Sequence, residues 1–151
     1  MVQNKIKMII YTLRKAEEKD FDITHTIKLD AMKDYITQTW GWDEELQNKF
    51  HREEFYRDNI YMVEIEGRPV GTVGINEIDK DIFINRIYLL KEFQSKGIGS
   101  SVLKKIIDEN KEKVIRLAVL KVNTKAKKLY DSLGFEVFSE GNEHWKMKLK
   151  K

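Results

Sequence analysis

Gly97 and Gly99 stand two apart at the end of the run Leu89-Leu90-Lys91-Glu92-Phe93-Gln94-Ser95-Lys96-Gly97-Ile98-Gly99-Ser100. Lacking a Cβ, glycines let the backbone approach a ligand closely. The first N–H groups of a helix have no intrahelical partner, and the helix dipole favours an anion beside them. If Gly97 opens a helix, main-chain amides from Gln94 to Ser100 form a phosphate cradle. This is not the nucleotide-triphosphate loop, because Lys96 precedes Gly97 instead of following the last glycine. A dinucleotide fingerprint needs a third glycine and an early parallel βαβ unit, and neither is present. A plain tight turn also fits two glycines before a helix. The spacing alone leaves both open.

A second stretch with chemical content is Thr39-Trp40-Gly41-Trp42-Asp43-Glu44-Glu45-Leu46-Gln47. Aromatic faces beside carboxylates suit an ammonium ion through cation–π and ion-pair contacts. A tryptophan corner in the core, with acids favoured at a helix N-terminus, explains the same residues. Trp40, Trp42, Asp43 and Glu44 are the candidate contacts to a cationic ligand; Glu44 and Glu45 are weak candidates for a base. His51 and His144 are weaker still, since a lone histidine is more often structural, and His25 carries no signal.

The elements that position these residues follow from periodicity. Ile6 to Leu13 is rich in β-formers and predicts a first strand. Ile23, Ile27, Ala31, Tyr35 and Ile36 lie at helical spacing within Phe21 to Thr39. Asp43 is a plausible N-cap for a second helix with Leu46, Phe50 and Phe55 on its inner side. Ile60 to Ile65, Val70 to Ile78 and Ile82 to Leu90 are strand-like. Glu66-Gly67-Arg68-Pro69 and Asp79-Lys80-Asp81 separate them as turns, which predicts an antiparallel meander.

From Gly97 onward Ile98, Val102, Leu103, Ile106 and Ile107 make a helical stripe, and Val114 to Val119 reads as a short strand. Asn123 can cap a helix whose inner stripe is Ala126, Leu129, Tyr130 and Leu133. Gly134 closes it where a left-handed residue is wanted. Phe135 to Phe138 and His144 to Leu149 complete the strands. The predicted order is β-α-α-β-β-β-α-β-α-β-β, an α/β (α+β) mixed sheet with helices on both faces.

Composition bounds the function. With 151 residues, 41% hydrophobic, the chain is one domain with a real core and is not intrinsically disordered. It has no cysteine, which removes disulfides, thiolate nucleophiles and Cys-based metal sites and suits a reducing cytoplasm. Met8-Ile9-Ile10 is too short for an export signal, and no stretch is long enough for a membrane span. A soluble cytoplasmic protein is expected, with no membrane partner. Residues 1–75 carry 11 basic and 14 acidic side chains, and residues 76–151 carry 17 and 11. A basic half suits a phosphorylated ligand and an acidic half a cationic one, although two solvated faces would look the same. The lysines are interleaved with acids, so nucleic acid is not expected.

Gln94-x-x-Gly97-x-Gly99, followed by Asn123-x-x-Ala126-x-x-Leu129-Tyr130-x-x-Leu133-Gly134-Phe135, resembles the GNAT N-acetyltransferase superfamily. The first segment is similar to its acyl-CoA pyrophosphate loop, and the second to its last helix. The likeness in motifs runs from Ile82 to Phe138, and the element order agrees over nearly the whole chain.

The resemblance implies a GNAT fold and transfer of an acetyl group from acetyl-CoA to a primary amine, without a metal. Backbone groups of Ile87, Tyr88 and Leu89 would pair with the pantetheine arm. The amides of Gln94, Ser95, Lys96, Gly97, Ile98, Gly99 and Ser100 would hold the pyrophosphate. Asn123 would contact the pantetheine, and Tyr130 would protonate the departing thiolate. Read from the residues themselves, Lys96, Lys125, Lys127 and Lys128 suit the outer phosphate of such a ligand, Lys96 first among them, although surface lysines are usually just solvated. A phenol of pKa about 10 keeps its proton at neutral pH, which suits that donor role. A core tyrosine bonded to a carbonyl is the competing reading.

Some members place a glutamate base on the fourth strand and others on the fifth. Ile82 to Leu90 has no acid, and Ala118 stands at the second position. Asn85, whose strand parity matches Ile87 and Leu89, is expected to order a water near the acceptor, and the base is left unassigned. A base matters because deprotonating an amine of pKa 10.4 at pH 7 costs about 4.6 kcal/mol, against about 1 for an α-amine. Two rivals accompany this reading: acetylation of protein N-termini or lysines, and an acyl-CoA-binding module without turnover. The resemblance also admits a homodimer.

Overall fold

The computed structural model describes residues 9–149. In chain order the elements are β1 (Thr12–Lys15), α1 (Phe21–Trp40), α2 (Glu44–Arg57), β2 (Ile60–Ile65), β3 (Arg68–Ile78), β4 (Asp81–Leu89), α3 (Ile98–Glu109), β5 (Ile115–Leu120), α4 (Thr124–Ser132), β6 (Phe135–Glu140) and β7 (His144–Leu149). Short 3₁₀ turns at Glu18–Asp20 and Lys91–Phe93 join β1 to α1 and lead out of β4. The seven strands form one mixed sheet in the order β1-β2-β3-β4-β5-β7-β6. Only β4 and β5 run parallel.

The turns explain the meander. Glu66 and Gly67 both have positive φ, as do Asp79 and Lys80, the geometry that two-residue hairpins with native twist require. Arg68 and Pro69 belong to the beginning of β3, where a proline costs the ladder least. The first strand departs from expectation. It runs from Thr12 to Lys15, later than predicted, and Ile9 to Tyr11 are not strand. Ile6 to Met8 of the predicted strand lie outside the described residues.

Successive strand residues point to opposite faces, so the sheet has two cores. On one face Val63, Val73, Ile84 and Leu117 pack with Ile98, Val102, Leu103 and Ile106 of α3. On the other, Ile60 and Met62 are buried together with Ile27, Ala31 and Ile36 of α1.

The inner side of α2 is a correction. Leu46 and Phe50 are 41% and 38% exposed, whereas Gln47 and His51 are buried. His51 turns toward α1, where its Nε2–H donates to the Phe21 carbonyl at 2.7 Å. That hydrogen bond sets the rotation of α2 and releases the apolar row Leu46–Phe50 to line a cavity. His51 is structural.

Candidate active site

The site begins with a wedge in the sheet. β4 pairs with β5 only from Ile82 to Ile84, opposite Ile115 to Leu117. Beyond that, β5 continues along β7 to Leu120, and β4 continues along β3 to Leu89. From Asn85 onward the β5-facing edge of β4 is unpaired.

A bulge accompanies the split. Gly74 pairs with Asn85 and Thr72 with Tyr88, so β4 carries one extra residue there. Arg86 takes it up with φ +52°, and Thr72 Oγ1 donates to the Arg86 carbonyl at 2.8 Å. A non-glycine residue pays about 1–2 kcal/mol for such a conformation. Its side chain is held from α2, with Nη2 2.9 Å from Asp58 Oδ2 and Nε 2.9 Å from Glu54 Oε2. The second is a charge contact whose angle falls short of a hydrogen bond. The bulge also overturns one expectation. Asn85 shares its face with Tyr88, not with Ile87 and Leu89.

Downstream of β4, Ser95 and Gly97 both adopt left-handed φ, +61° and +86°. Gly97 is the N-cap of α3, and a Cβ there would meet open space. The first helical hydrogen bond runs from Ser101 N–H to the Gly97 carbonyl, 3.0 Å. From Ser95 to Ser100, no described residue accepts a backbone N–H. Six amide donors therefore converge on one loop, which suits an anion. The Gln94 side chain braces it by donating to the Leu89 carbonyl at 2.8 Å.

A cleft of about 230 Å³ runs from this loop along the open edge of β4. Ile87, Tyr88, Leu89, Gln94, Ser95, Gly97, Gly99, Ser100, Asn123 and Tyr130 all line it, joined by Ala31, Met32 and Tyr35 of α1. Two residues of the predicted set stand apart. Ile98 is buried in the core and Lys96 is exposed, so any part either plays in the cleft is through its backbone. Asn123 caps α4 by accepting from Ala126 N–H at 3.2 Å and still lines the cleft.

A second cavity, about 700 Å³, opens on the α1–α2 side. Trp40, Asp43, Leu46, Phe50, Glu54, Asn85, Arg86, Ala118 and His144 are among its walls. The Trp40 ring is 5.8 Å from that of His144. Trp42 and Glu44 lie outside this lining and bond each other, Trp42 Nε1–H donating to Glu44 Oε2 at 2.7 Å. Lys33 Nζ sits 5.0 Å from the Trp42 ring centre, so a protein cation already occupies that aromatic face.

The two cavities share Met32, Ile87, Tyr88, Asn123, Ala126 and Tyr130. Tyr130 is 6% exposed, and no described residue hydrogen-bonds its hydroxyl. The competing carbonyl-bonded tyrosine is not what is found. Burial, reinforced by Tyr88, pushes the Tyr130 phenol above its ordinary pKa of 10. It remains a proton donor at neutral pH.

Sequence reasoning missed the contributions of α2 and of Arg86. Leu46 and Phe50, four apart, were a visible apolar row, but a row facing a cavity reads like one facing a core. Nothing local marked Arg86 for a bulge. Among the described residues no cluster of His, Cys, Asp or Glu could hold a metal ion, and no helix is long and apolar enough to cross a membrane.

A family model described as Acetyltransferase (GNAT) family matches residues 26–135. The chain belongs to the GNAT family. An uncharacterized N-acetyltransferase of Methanocaldococcus jannaschii is 28% identical over 89% of this chain and 64% of its own length. The chain thus spans somewhat under two-thirds of that relative. A thialysine N-epsilon-acetyltransferase of Bos taurus is 36% identical over 44% of this chain and 40% of its own. In fold, the chain resembles the PaiA N-acetyltransferase of Thermoplasma acidophilum, solved in complex with coenzyme A. The TM-score is 0.77 at 19% identity, covering 94% of this chain and 99% of that one. The mixed α/β sheet with its split between β4 and β5 is the GNAT fold in this chain.

Proposed function

We propose that the protein transfers an acetyl group from acetyl-CoA to a primary amine, by direct attack while both are bound. The observation that carries this is the meeting of two cavities at the unbonded Tyr130 hydroxyl. One cavity has the chemistry of a coenzyme site and the other that of an amine site. The coenzyme supplies a thioester carbonyl activated for attack.

The residues fit that ligand. The amides of Ser95 to Ser100 would hold the diphosphate, and the unpaired edge of β4 at Ile87, Tyr88 and Leu89 would bond the pantetheine amides. Asn123 would offer its amide nitrogen to the same arm, and the exposed Lys96 would meet an outer phosphate beyond the cleft. Tyr130 would give its proton to the leaving sulfur. Asn85 would order a water beside the amine, and Trp40 and Asp43 would attract the ammonium. Holding both reactants at one junction supplies much of the rate by positioning. No acetyl-cysteine can form, since the chain has no cysteine.

The second cavity, lined by Trp40, Leu46 and Phe50, supports a small amine over a protein terminus or lysine. The name of the Bos taurus relative, which specifies an ε-nitrogen, is consonant with a primary amine. The test is release of free thiol from acetyl-CoA across polyamines, aminoglycosides, amino acids and peptides. Amine-dependent release is expected, strongest with small amines. Strong turnover of peptides alone would favour the protein-directed rival. A flat response, with coenzyme A still binding, would leave a module without turnover.

A further inference from the structure

Attack by an amine requires that its ammonium form lose a proton, and the titratable walls of the second cavity can be taken in turn. Lys28 and Arg86 are cations. Glu54 is committed to both, with Lys28 Nζ donating to Oε1 at 3.0 Å and Arg86 Nε 2.9 Å from Oε2. Asp43 spends Oδ1 on the N-terminus of α2, accepting from Leu46 N–H at 3.1 Å, and is exposed. The phenols of Tyr88 and Tyr130 hold their protons more tightly than free tyrosine, chiefly because of burial. His144 remains.

His144 opens β7, paired with Leu120 at the end of β5 that has parted from β4. It lines the same cavity as Asn85 and Tyr130, its ring tilted beside that of Trp40, and no described residue hydrogen-bonds its imidazole. We propose that His144 is the general base that takes the proton from the bound ammonium, an assignment that rests on the acetyl-transfer reading. The freed nitrogen lone pair forms a bond to the thioester carbon. The C–S bond breaks, and the sulfur takes the Tyr130 proton. The nitrogen gives its surplus proton to the Tyr130 phenolate, and His144 releases its own to solvent.

The charge environment agrees. Burial lowers the His144 pKa below 6.5, Lys146 adds to this, and Glu143 opposes it. The neighbouring Lys121 is engaged by Glu140 of β6, and Trp40 of α1 brings no charge. The imidazole is therefore neutral, and able to accept a proton, at pH 7.

The experiment measures thiol release from acetyl-CoA with the most active amine of the panel, for wild type, His144→Gln and His144→Ala. In His144→Gln, kcat/KM falls about 100-fold at pH 7, with coenzyme A affinity unchanged. The fall of wild-type rate toward acid pH disappears, and added imidazole restores part of the rate in His144→Ala. Near-normal activity in His144→Gln, with the acid limb intact, overturns the assignment while leaving acetyl transfer standing. An NMR titration of the His144 ring in wild type is independent of variant folding. Its midpoint should coincide with the acid limb, and a mismatch overturns the assignment. A wild-type protein that binds coenzyme A yet acetylates no amine overturns the parent reading, and this one with it.

Discussion

Gly74 and Asn85 face each other across the β3–β4 ladder so closely that a methyl group on Gly74 would overlap the Asn85 amide oxygen. The Asn85 carbonyl oxygen is also within 2.9 Å of that position, so the backbone leaves little room to yield. Asn85 Oδ1 in turn accepts from Asn76 Nδ2 at 3.3 Å. Gly74 is what lets Asn85 stand at the cavity wall, next to the bulge.

Gly74→Ala should therefore cost about 1–3 kcal/mol, the usual range for overpacking, read from urea denaturation. It should also raise the KM for the amine more than that for acetyl-CoA. Adding Asn85→Ala should recover part of the stability and none of the amine affinity. Full stability in Gly74→Ala would contradict the packing described.

Tyr130→Phe keeps the buried ring and removes the donor. Turnover should drop at least about 10-fold, with melting temperature and coenzyme A affinity near wild type. Because the phenol pKa is raised, the donor is retained beyond pH 10, and no loss of rate between pH 7 and 10 should trace to this residue. A rate that falls across that range in wild type but not in Tyr130→Phe would refute the sign.

Gly97 and Gly99 should respond differently to alanine. At Gly97 the cost is conformational, φ +86°, with no atom in the way. A shift of about 1–2 kcal/mol against the loop's binding form would weaken coenzyme A about tenfold by calorimetry. At Gly99 a Cβ would lie 3.7 Å from Leu129 and from Leu89, an ordinary contact. Gly99→Ala should bind coenzyme A nearly as wild type does.

Burial is the main cause that lowers the His51 pKa below 6.5. The unfolded chain then binds more protons, so this group's share of stability is complete above pH 6.5. It is lost as pH falls from there through the folded-state pKa. Urea midpoints should decline between pH 7 and 5, and His51→Gln should flatten that decline. His144, lowered in the same way, accounts for a remaining slope.

Much of the fold was legible because its signals are local. The α3 stripe, the turn residues around Gly67 and Asp79, the Asn123 cap and the left-handed Gly134 each act within a few residues. The amide-rich loop before α3 was legible for the same reason: one run of sequence supplies its amides. The second cavity was not, since α1, α2, β4, β5 and β7 each give it only a residue or several. Its shape depends on a bulge held by ion pairs from Arg86 to Glu54 and Asp58, distant in sequence. Asn85's parity was misjudged because one inserted residue reverses every face beyond it.

The central claim is that one cleft, from the amides of α3 to Tyr130, receives the coenzyme. It is tested most directly by mapping amide chemical-shift changes while coenzyme A is titrated into the ¹⁵N-labelled protein. The account predicts the largest changes at Ser95 to Ser100, at Ile87 to Leu89 and around Asn123 and Tyr130. Changes centred elsewhere, such as the outer surface of α2, or no saturable change at all, would contradict it.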